Sequence, residues 1–148
     1  MTTRVKIHAS QPAAWKAMYG LEQYLATTSV SKTHKEFIKL RASQINHCAF
    51  CIDMHSKDAL KNGETTQRLL LLDAWRETDL FTEEEKAVLA ITEDITLISE
   101  KGLTEETYQN ALKYFSEDYI AQIIMIVVAI NAWNRISVST HVAVGAKF

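Results

Sequence analysis

The chain contains very little proline and glycine. Of its 148 residues, one is proline and four are glycine. An all-β sandwich or barrel needs turn residues about every 8–12 positions, and this chain cannot supply them. Collagen-like and low-complexity classes are excluded for the same reason. The composition therefore predicts an all-α protein whose helices are joined by short polar loops.

Runs of like charge and long apolar runs are also absent. The formal net charge is -2, with basic and acidic residues interspersed, so the sequence gives no sign of a nucleic-acid partner. The first ten residues, MTTRVKIHAS, lack the apolar core of a secretory signal. The longest apolar run, IIMIVVAI at 123–130, is too short to cross a bilayer. We therefore expect a soluble, cytoplasmic protein with no membrane partner.

Hydrophobic spacing predicts six or seven helices in one domain over residues 1–148. The last helix is apolar on all sides in its middle, which is typical of a helix buried in a core or in an oligomer interface. We therefore expect a homo-oligomer, which could be a dimer, a trimer or a hexamer. The expected helices start at Ser10–Pro12, at Ser31–Thr33 (to Ile45), at about Cys48 (to Asn62, before Gly63), at about Thr66 (to Glu77), after a Thr82–Glu85 capping box (to near Gly102), at Thr104, and at Ser116 (to about Ser139).

Three chemically active side chains share one face of the third predicted helix. Cys48 and Cys51 form a C-x-x-C, and His55 follows four residues later. At about 100° per residue, the three lie within a stripe of about 60°. A break at Asn46–His47 would place both cysteines in the first turn, where the helix dipole stabilises a thiolate. This arrangement suits thiol redox chemistry, in which one thiolate attacks, a second thiol resolves the product, and a histidine moves protons.

Other interpretations of the two cysteines are open. They could be small buried apolar residues, or ligands of a metal together with His55 and either His47 or His34. The chain has no second C-x-x-C, so we expect neither a metal nor another cofactor. Ile52 follows Cys51 where c-type haem attachment needs histidine, and a thioredoxin-like site needs a βαβ pattern that the sequence lacks.

Around these residues the chain resembles the AhpD-like alkylhydroperoxidases of the carboxymuconolactone decarboxylase superfamily. Their motif is a glutamate followed by C-x-x-C-x-x-x-H, matched here by Glu36 and by residues 48–55. The stretches 40–59, 72–93 and 131–141 are similar to the same family. One departure is Phe50, which stands where the best-known members carry a histidine. The resemblance implies an oligomeric all-α fold that reduces hydroperoxides, with an external dithiol (a protein or a small thiol) as reductant.

The resemblance also implies a role for each residue of the motif. Cys51 would be the peroxidatic cysteine, Cys48 the more accessible resolving cysteine, and His55 with Glu36 the proton relay. From the i,i+4 spacing to His55 we expect a depressed pKa at Cys51. Glu36 has an alternative interpretation, since Thr33 and Glu36 fit a capping box. It can approach the cysteines only if the chain turns after Ile45.

The sequence thus predicts a thiol-dependent peroxidase of antioxidant defence. A non-enzymatic dithiol module is one alternative. Another is a lyase or isomerase in which His55 acts as a base on a small carbonyl compound, which an anion-binding pocket would favour. Polar residues of the last helix, Asn131, Asn134 and Arg135, are interpreted as structural. Trp15, Trp75 and Trp133 are expected to be core or interface anchors. His141 could contact the active site of the same or another subunit, but a surface position is favoured.

Overall fold

The computed structural model describes residues 4–147, and this part of the chain is helical with no strand. The prediction of an all-α fold is confirmed. Eight α-helices and one 3₁₀ segment lie within the described range. They are α1 (Ile7–Ser10), α2 (Pro12–Thr27), α3 (Lys32–Ile45), α4 (Ala49–Lys61), α5 (Thr66–Leu71), the 3₁₀ segment (Leu72–Glu77), α6 (Glu83–Thr96), α7 (Glu105–Ala111) and α8 (Glu117–Thr140).

Side-chain caps start most of the longer helices where the sequence predicts them. Thr82 and Glu85 form a reciprocal capping box at α6, Thr104 accepts from the Thr107 N–H at α7, and Ser116 accepts from the Tyr119 N–H at α8. Each cap satisfies a backbone donor that the first helical turn leaves free.

Three predicted boundaries are wrong. The expected helix to Glu77 changes from α to 3₁₀ geometry after Leu71, with a kink at Ala74. The fifth predicted helix ends at Thr96 because Leu97 leaves helical geometry, and Ile98 is 66% exposed instead of continuing the apolar stripe. At the first helix, Ser10 belongs to the separate α1, and Pro12 opens α2 after Gln11.

The core forms around α3, which packs against α4, α6 and α8. One apolar cluster joins α8 to α3 and α6, with Ile38, Val88 and Ile123 at its centre. By length and composition α8 is the helix of the described range that could cross a membrane, but 44% of its apolar window is buried inside the fold. One helix of this kind is weak evidence of a membrane span.

A buried carboxylate ties the 3₁₀ segment to α3 and α6. Glu93 accepts hydrogen bonds from Arg41 Nε at 2.7 Å, from Trp75 Nε1 at 2.9 Å, and from Arg76. Burial alone raises the pKa of Glu93, but the bonds from Arg76, Trp75 and Arg41 together outweigh it and the pKa is lowered. The buried carboxylate of Glu93 is therefore stabilised as an anion by these hydrogen bonds. Replacing Glu93 would leave Arg41 without its buried partner.

Candidate active site

A tight corner between α3 and α4 positions the two cysteines. Asn46 ends α3, and His47 adopts the left-handed conformation with φ 54°. The His47 N–H donates to Gln44 O at 3.1 Å, and the Cys48 N–H donates to Ser43 O at 3.0 Å. These two bonds make a Schellman motif, so Cys48 both completes the end of α3 and occupies the N-cap of α4. The predicted break at Asn46–His47 is confirmed.

The two thiols are neighbours and both are buried. Their sulfurs lie 2.6 Å apart, and each residue is 1% exposed. Phe50 and Val142 pack with them into a small apolar cluster. The C-x-x-C therefore forms a near pair, but the expectation that Cys48 is the more accessible cysteine is wrong. The turn that makes Cys48 an N-cap also packs its side chain against Phe50, Cys51 and Val142.

Glu36 reaches the site from α3 because the chain turns after Ile45, which is the condition that the sequence set for this contact. Its Oε2 lies 3.1 Å from Nδ1 of His55, and both side chains are buried. Lys39 Nζ lies 3.7 Å from the other carboxylate oxygen. The capping-box interpretation of Glu36 is wrong, because Ser31 caps α3 by accepting from the His34 N–H. Glu36 thus holds the imidazole of His55 in a fixed orientation.

The thiolate of the reduced pair is favoured on Cys48. The side-chain hydrogen bond with Cys51 lowers the pKa of Cys48 to about 7 from 9.0, against burial, which acts in the opposite direction. The pKa of Cys51 is raised, first by the same shared bond and then by burial and by repulsion from a thiolate on Cys48. The pKa of Cys51 is thus shifted upward, opposite to the expected direction, and its neighbour's sulfur is the largest cause.

Helix α8 adds two polar side chains on the other side of the pair. Ser137 Oγ lies 3.8 Å from Cys51 Sγ. Asn134, which is 0% exposed, donates from Nδ2 to Ser43 Oγ at 2.9 Å and accepts from Asn46 Nδ2 at 2.9 Å. The sequence predicts a structural role for Asn134 and gives no indication of a role for Ser137. The sequence signal for both residues is a polar side chain within an apolar helix. This pattern does not predict which neighbouring element the side chain contacts.

A cavity of about 590 Å³ opens beside the pair. Its walls include Trp15, Tyr19 and Trp133, and the Trp15 and Trp133 rings meet edge to face at 5.1 Å. Within the described range Cys51 lines this cavity and Cys48 does not. Ser137, Phe50, Met54, His55 and His141 are also among the lining residues. Two of the expected tryptophan anchors thus form a cavity wall, while Trp75 lies in the core.

One set of donors in the described range has the spacing of a metal site. Glu36, His55 and Asp58 offer ligand atoms that all lie within 4.8 Å of one another. This set contains neither cysteine, so it differs from the thiolate site weighed from the sequence. Glu36 and His55 already bond each other, and Asp58 pairs with Lys61 at 3.3 Å. The geometry is thus explained by ion pairs within the protein.

These features define a helical protein with a buried dithiol, an adjoining imidazole–carboxylate pair and a mainly apolar cavity. The model of the carboxymuconolactone decarboxylase family matches residues 12–94, more than half of the chain. The chain belongs to this family, and it is an AhpD-like member of it.

Relatives match over nearly the whole length. The uncharacterized protein YdfG of Bacillus subtilis (strain 168) is 43% identical over 139 residues, which is 94% of this chain and 95% of the relative. A crystal structure from Agrobacterium tumefaciens is 36% identical with a TM-score of 0.94, covering 99% of this chain and 100% of the other. That protein is of unknown function, and a role as the antioxidant defence protein AhpD has been suggested for it.

The fold is shared with more distant proteins. An uncharacterized peroxidase-related protein with an AhpD core, from Ralstonia eutropha JMP134, has a TM-score of 0.82 at 15% identity, over 93% of this chain and 74% of the other. At this identity the likeness concerns the fold alone.

Proposed function

We propose that this protein is a thiol-dependent hydroperoxide reductase that serves antioxidant defence in the cytoplasm. The observation that carries the proposal is the position of Cys51, which lines the cavity beside His55 while its sulfur lies 2.6 Å from that of Cys48. A substrate in the cavity therefore meets one thiol, and the second thiol is already in place to resolve the product.

The first step is attack by Cys51 on the distal oxygen of the hydroperoxide. Cys48, which carries the thiolate of the resting pair, accepts the Cys51 proton across the shared hydrogen bond. A bond forms between Cys51 Sγ and the distal oxygen, and the O–O bond breaks. The leaving alkoxide takes a proton from His55, whose ring Glu36 orients, and departs as the alcohol. The sulfur loses two electrons to the peroxide and becomes a sulfenic acid.

The second step closes the disulfide. Cys48 gives up its proton to His55, whose ring Glu36 orients, and attacks the Cys51 sulfur. The S–OH bond breaks, and His55 passes that proton to the leaving hydroxide, which departs as water. An external dithiol, either a protein or a small thiol, then returns two electrons and two protons to the pair. Both cysteines are 1% exposed, so the reductant reaches the disulfide through the cavity, at Cys51.

The cavity favours organic hydroperoxides over hydrogen peroxide. Its volume of about 590 Å³ is in the range of pockets for small organic ligands. Trp15, Tyr19 and Trp133 offer ring surfaces to an apolar substituent. Hydrogen peroxide has no apolar substituent to contact these rings. Only the bulkier organic hydroperoxide therefore gains binding energy from the cavity walls.

We also propose that the chain functions as a homo-oligomer. Apolar side chains of α2 and α8 remain exposed, among them Tyr24 at 45%, Val128 at 45% and Val138 at 45%. Contact between copies would remove this apolar surface from water. Sedimentation of the purified protein at micromolar concentration measures the assembly. A dimer, trimer or hexamer is expected, and a stable monomer would contradict it.

The experiment for the enzymatic proposal is steady-state turnover of cumene hydroperoxide with dithiothreitol as reductant. The wild type is expected to consume the peroxide catalytically, and Cys51→Ser and Cys48→Ser to lose that turnover. Treatment with a metal chelator is expected to leave the rate unchanged, because no step uses a metal ion. Lys57→Ala, an exposed change on α4 outside the cavity, is the matched control.

Two alternative functions predict different results from the same protein. A dithiol module without peroxidase activity would form the disulfide but show no turnover with any dithiol. A lyase or isomerase acting on a small carbonyl compound would need His55 but neither cysteine. Basic residues of the kind that the second alternative would use line the cavity, namely Arg4, Lys6, Lys39 and Lys147, so the test of cysteine dependence separates it from the peroxidase.

A further inference from the structure

The cavity beside the dithiol has a surplus of positive charge that the whole chain lacks. The sequence has 16 lysine and arginine residues against 18 aspartate and glutamate residues. Among the lining residues of the described range, four are lysine or arginine, and Glu22 is the acidic one. The Glu22 carboxylate already accepts a hydrogen bond from Trp133 Nε1 at 2.8 Å. The surplus is therefore local to the cavity, and it favours an anionic ligand.

The cavity has a buried end and an exposed end. Cys51 and Ser137 are 1% and 6% exposed, and they mark the buried end. Arg4, Lys6 and Lys147 line the same cavity, and all three are exposed. Segments from opposite ends of the chain thus bring three basic side chains to the exposed end. We call these three residues the basic mouth.

A hydrogen bond holds Arg4 at the basic mouth. Its Nη1 donates to Ser139 O, in the last turn of α8, at 3.1 Å. The guanidinium has further N–H donors that this bond does not use. Within residues 4–147 no carboxylate forms an ion pair with Arg4, Lys6 or Lys147. These charges are therefore available to an anionic ligand.

Lys39, the fourth basic lining residue, lies beside the catalytic pair. Its Nζ is 3.7 Å from Glu36 Oε1, and Glu36 Oε2 is 3.1 Å from His55 Nδ1. An anion beside Lys39 would also face the carboxylate of Glu36, and like charges repel. An anionic group of a ligand therefore gains more at the basic mouth than beside His55.

Aromatic rings lead from the N-terminal segment toward the buried end. Trp15 contacts the ring of His8 at 5.6 Å and that of Trp133 at 5.1 Å. Trp133 lies on α8 about one helical turn before Ser137. An apolar chain along these rings would be removed from water, whereas an anionic head at the exposed mouth would stay hydrated and avoid the cost of burial. The cavity thus fits a ligand with an apolar chain and an anionic head.

We propose that the substrate is an amphipathic hydroperoxide with a carboxylate head. A fatty acid hydroperoxide is one member of this class. The carboxylate binds at the basic mouth, the apolar chain lies along Trp15 and Trp133, and a hydroperoxide on that chain reaches Cys51. The opposite orientation would place the carboxylate beside Glu36. This proposal rests on the proposed function for its reaction, but the binding of the carboxylate does not depend on that reaction.

The first experiment measures binding without any peroxide. Octanoate and octan-1-ol have the same number of carbon atoms, but octanoate alone carries a carboxylate. Binding is followed by tryptophan fluorescence, because Trp15 and Trp133 line the cavity. At low salt we expect octanoate to bind about five- to tenfold more tightly, and we expect high salt to reduce this preference. Equal affinities at low salt would overturn the proposal, and so would acetate that binds as tightly as octanoate.

A triple variant tests the basic mouth itself. Arg4→Gln, Lys6→Gln and Lys147→Gln together are expected to reduce the preference for octanoate over octan-1-ol to less than about twofold. A preference that persists in this variant but is lost in Lys39→Gln would place the carboxylate at the buried end and overturn the proposal.

The matched control removes the same charge elsewhere. Lys16→Gln, Lys32→Gln and Lys113→Gln together change three exposed lysines that do not line the cavity. This variant is expected to keep the wild-type preference for octanoate. An equal loss in both triple variants would mean that the net charge of the protein sets the preference, and the basic mouth would not be the carboxylate site.

A rate measurement separates this proposal from the proposed function. With dithiothreitol as reductant at low salt, we expect linoleic acid hydroperoxide to have about fivefold higher kcat/KM than its methyl ester. If cumene hydroperoxide is reduced but acid and ester react equally, this proposal fails and the proposed function stands. If no hydroperoxide is reduced, the proposed function fails, and the octanoate preference still decides whether the basic mouth is a carboxylate site.

Discussion

Replacing Cys51 by alanine removes the largest cause of the low pKa at Cys48. With a pKa of about 7, about half of Cys48 is thiolate at pH 7, whereas a thiol of the ordinary value, 9.0, is about 1% ionised. In Cys51→Ala the neighbour's hydrogen bond is lost and burial remains, opposed by the weaker bonds from Asn134 and Ser137. We expect the Cys48 pKa to rise to about 9, a roughly fiftyfold loss of thiolate at pH 7.

The assay is thiolate absorbance followed across pH, in single-cysteine proteins where the signal has one source. Cys48→Ala is the reciprocal variant. The bond with Cys48 and the repulsion from its thiolate disappear, so the pKa of Cys51 is expected to fall from its raised value. Burial still penalises the charge, so it is expected to remain above that of an exposed thiol. Alkylation rate against pH is an independent measure of both midpoints.

The result that would refute this reasoning is a midpoint near 7 for Cys48 in the Cys51→Ala protein. The backbone N–H groups of α4 and its dipole would then carry the stabilisation, and the neighbouring thiol would not. A midpoint at Cys51 below that of an ordinary thiol in the Cys48→Ala protein would indicate that the i,i+4 contact with His55 lowers the pKa of Cys51.

Three further predictions concern stability. In the reduced protein the free energy of unfolding is expected to increase by about 1.5 kcal/mol between about pH 7 and 9. The lowered pKa of Cys48 adds stability that is complete only above the unfolded value and is lost as pH falls through the folded one, while the raised pKa of Cys51 subtracts part of it near pH 9. Cys48→Ala, studied by urea unfolding, should lack the increase. His47→Gly relieves a left-handed backbone and is expected to stabilise by about 1 kcal/mol, and a lower melting temperature would count against it. Glu93→Gln removes the buried charge that Arg41 and Arg76 share, although Arg41 keeps its ion pair with Asp73. It is expected to cost about 2 kcal/mol while the thiol midpoints stay in place, and a cost below about 1 kcal/mol would contradict it.

Local features of the fold could be predicted because their causes lie within a few residues. The capping box at Thr82 needs only Glu85, and the caps at Thr104 and Ser116 need only the next turn. The shared face of Cys51 and His55 follows from helical geometry in the same way. The end of α6 could not be predicted from the stripe that continues to Ile98, because that side chain finds no core to enter and is exposed.

Properties of the site that depend on packing between helices were beyond the sequence. The local sequence around Glu36 favoured a cap, and only the family resemblance favoured the relay, because the contact with His55 depends on the turn between α3 and α4. Ser137 is 86 residues from Cys51 along the chain, so nothing near the motif indicates it. The order in which the thiols ionise depends on burial and on the 2.6 Å sulfur contact, which a helical wheel does not contain.

Single-turnover trapping tests the central claim, that Cys51 is the cysteine that meets the peroxide. Reduced Cys48→Ser protein is mixed with one equivalent of cumene hydroperoxide and a sulfenic-acid reagent, and the labelled peptide is identified by mass spectrometry. The account predicts a label on Cys51 at close to one per chain, an unlabelled Cys51→Ser protein, and an intramolecular disulfide in the wild type. A label on Cys48 in the Cys51→Ser protein, with none on Cys51 in Cys48→Ser, would reverse the two roles. A wild type that keeps both thiols reduced would contradict the peroxidase itself.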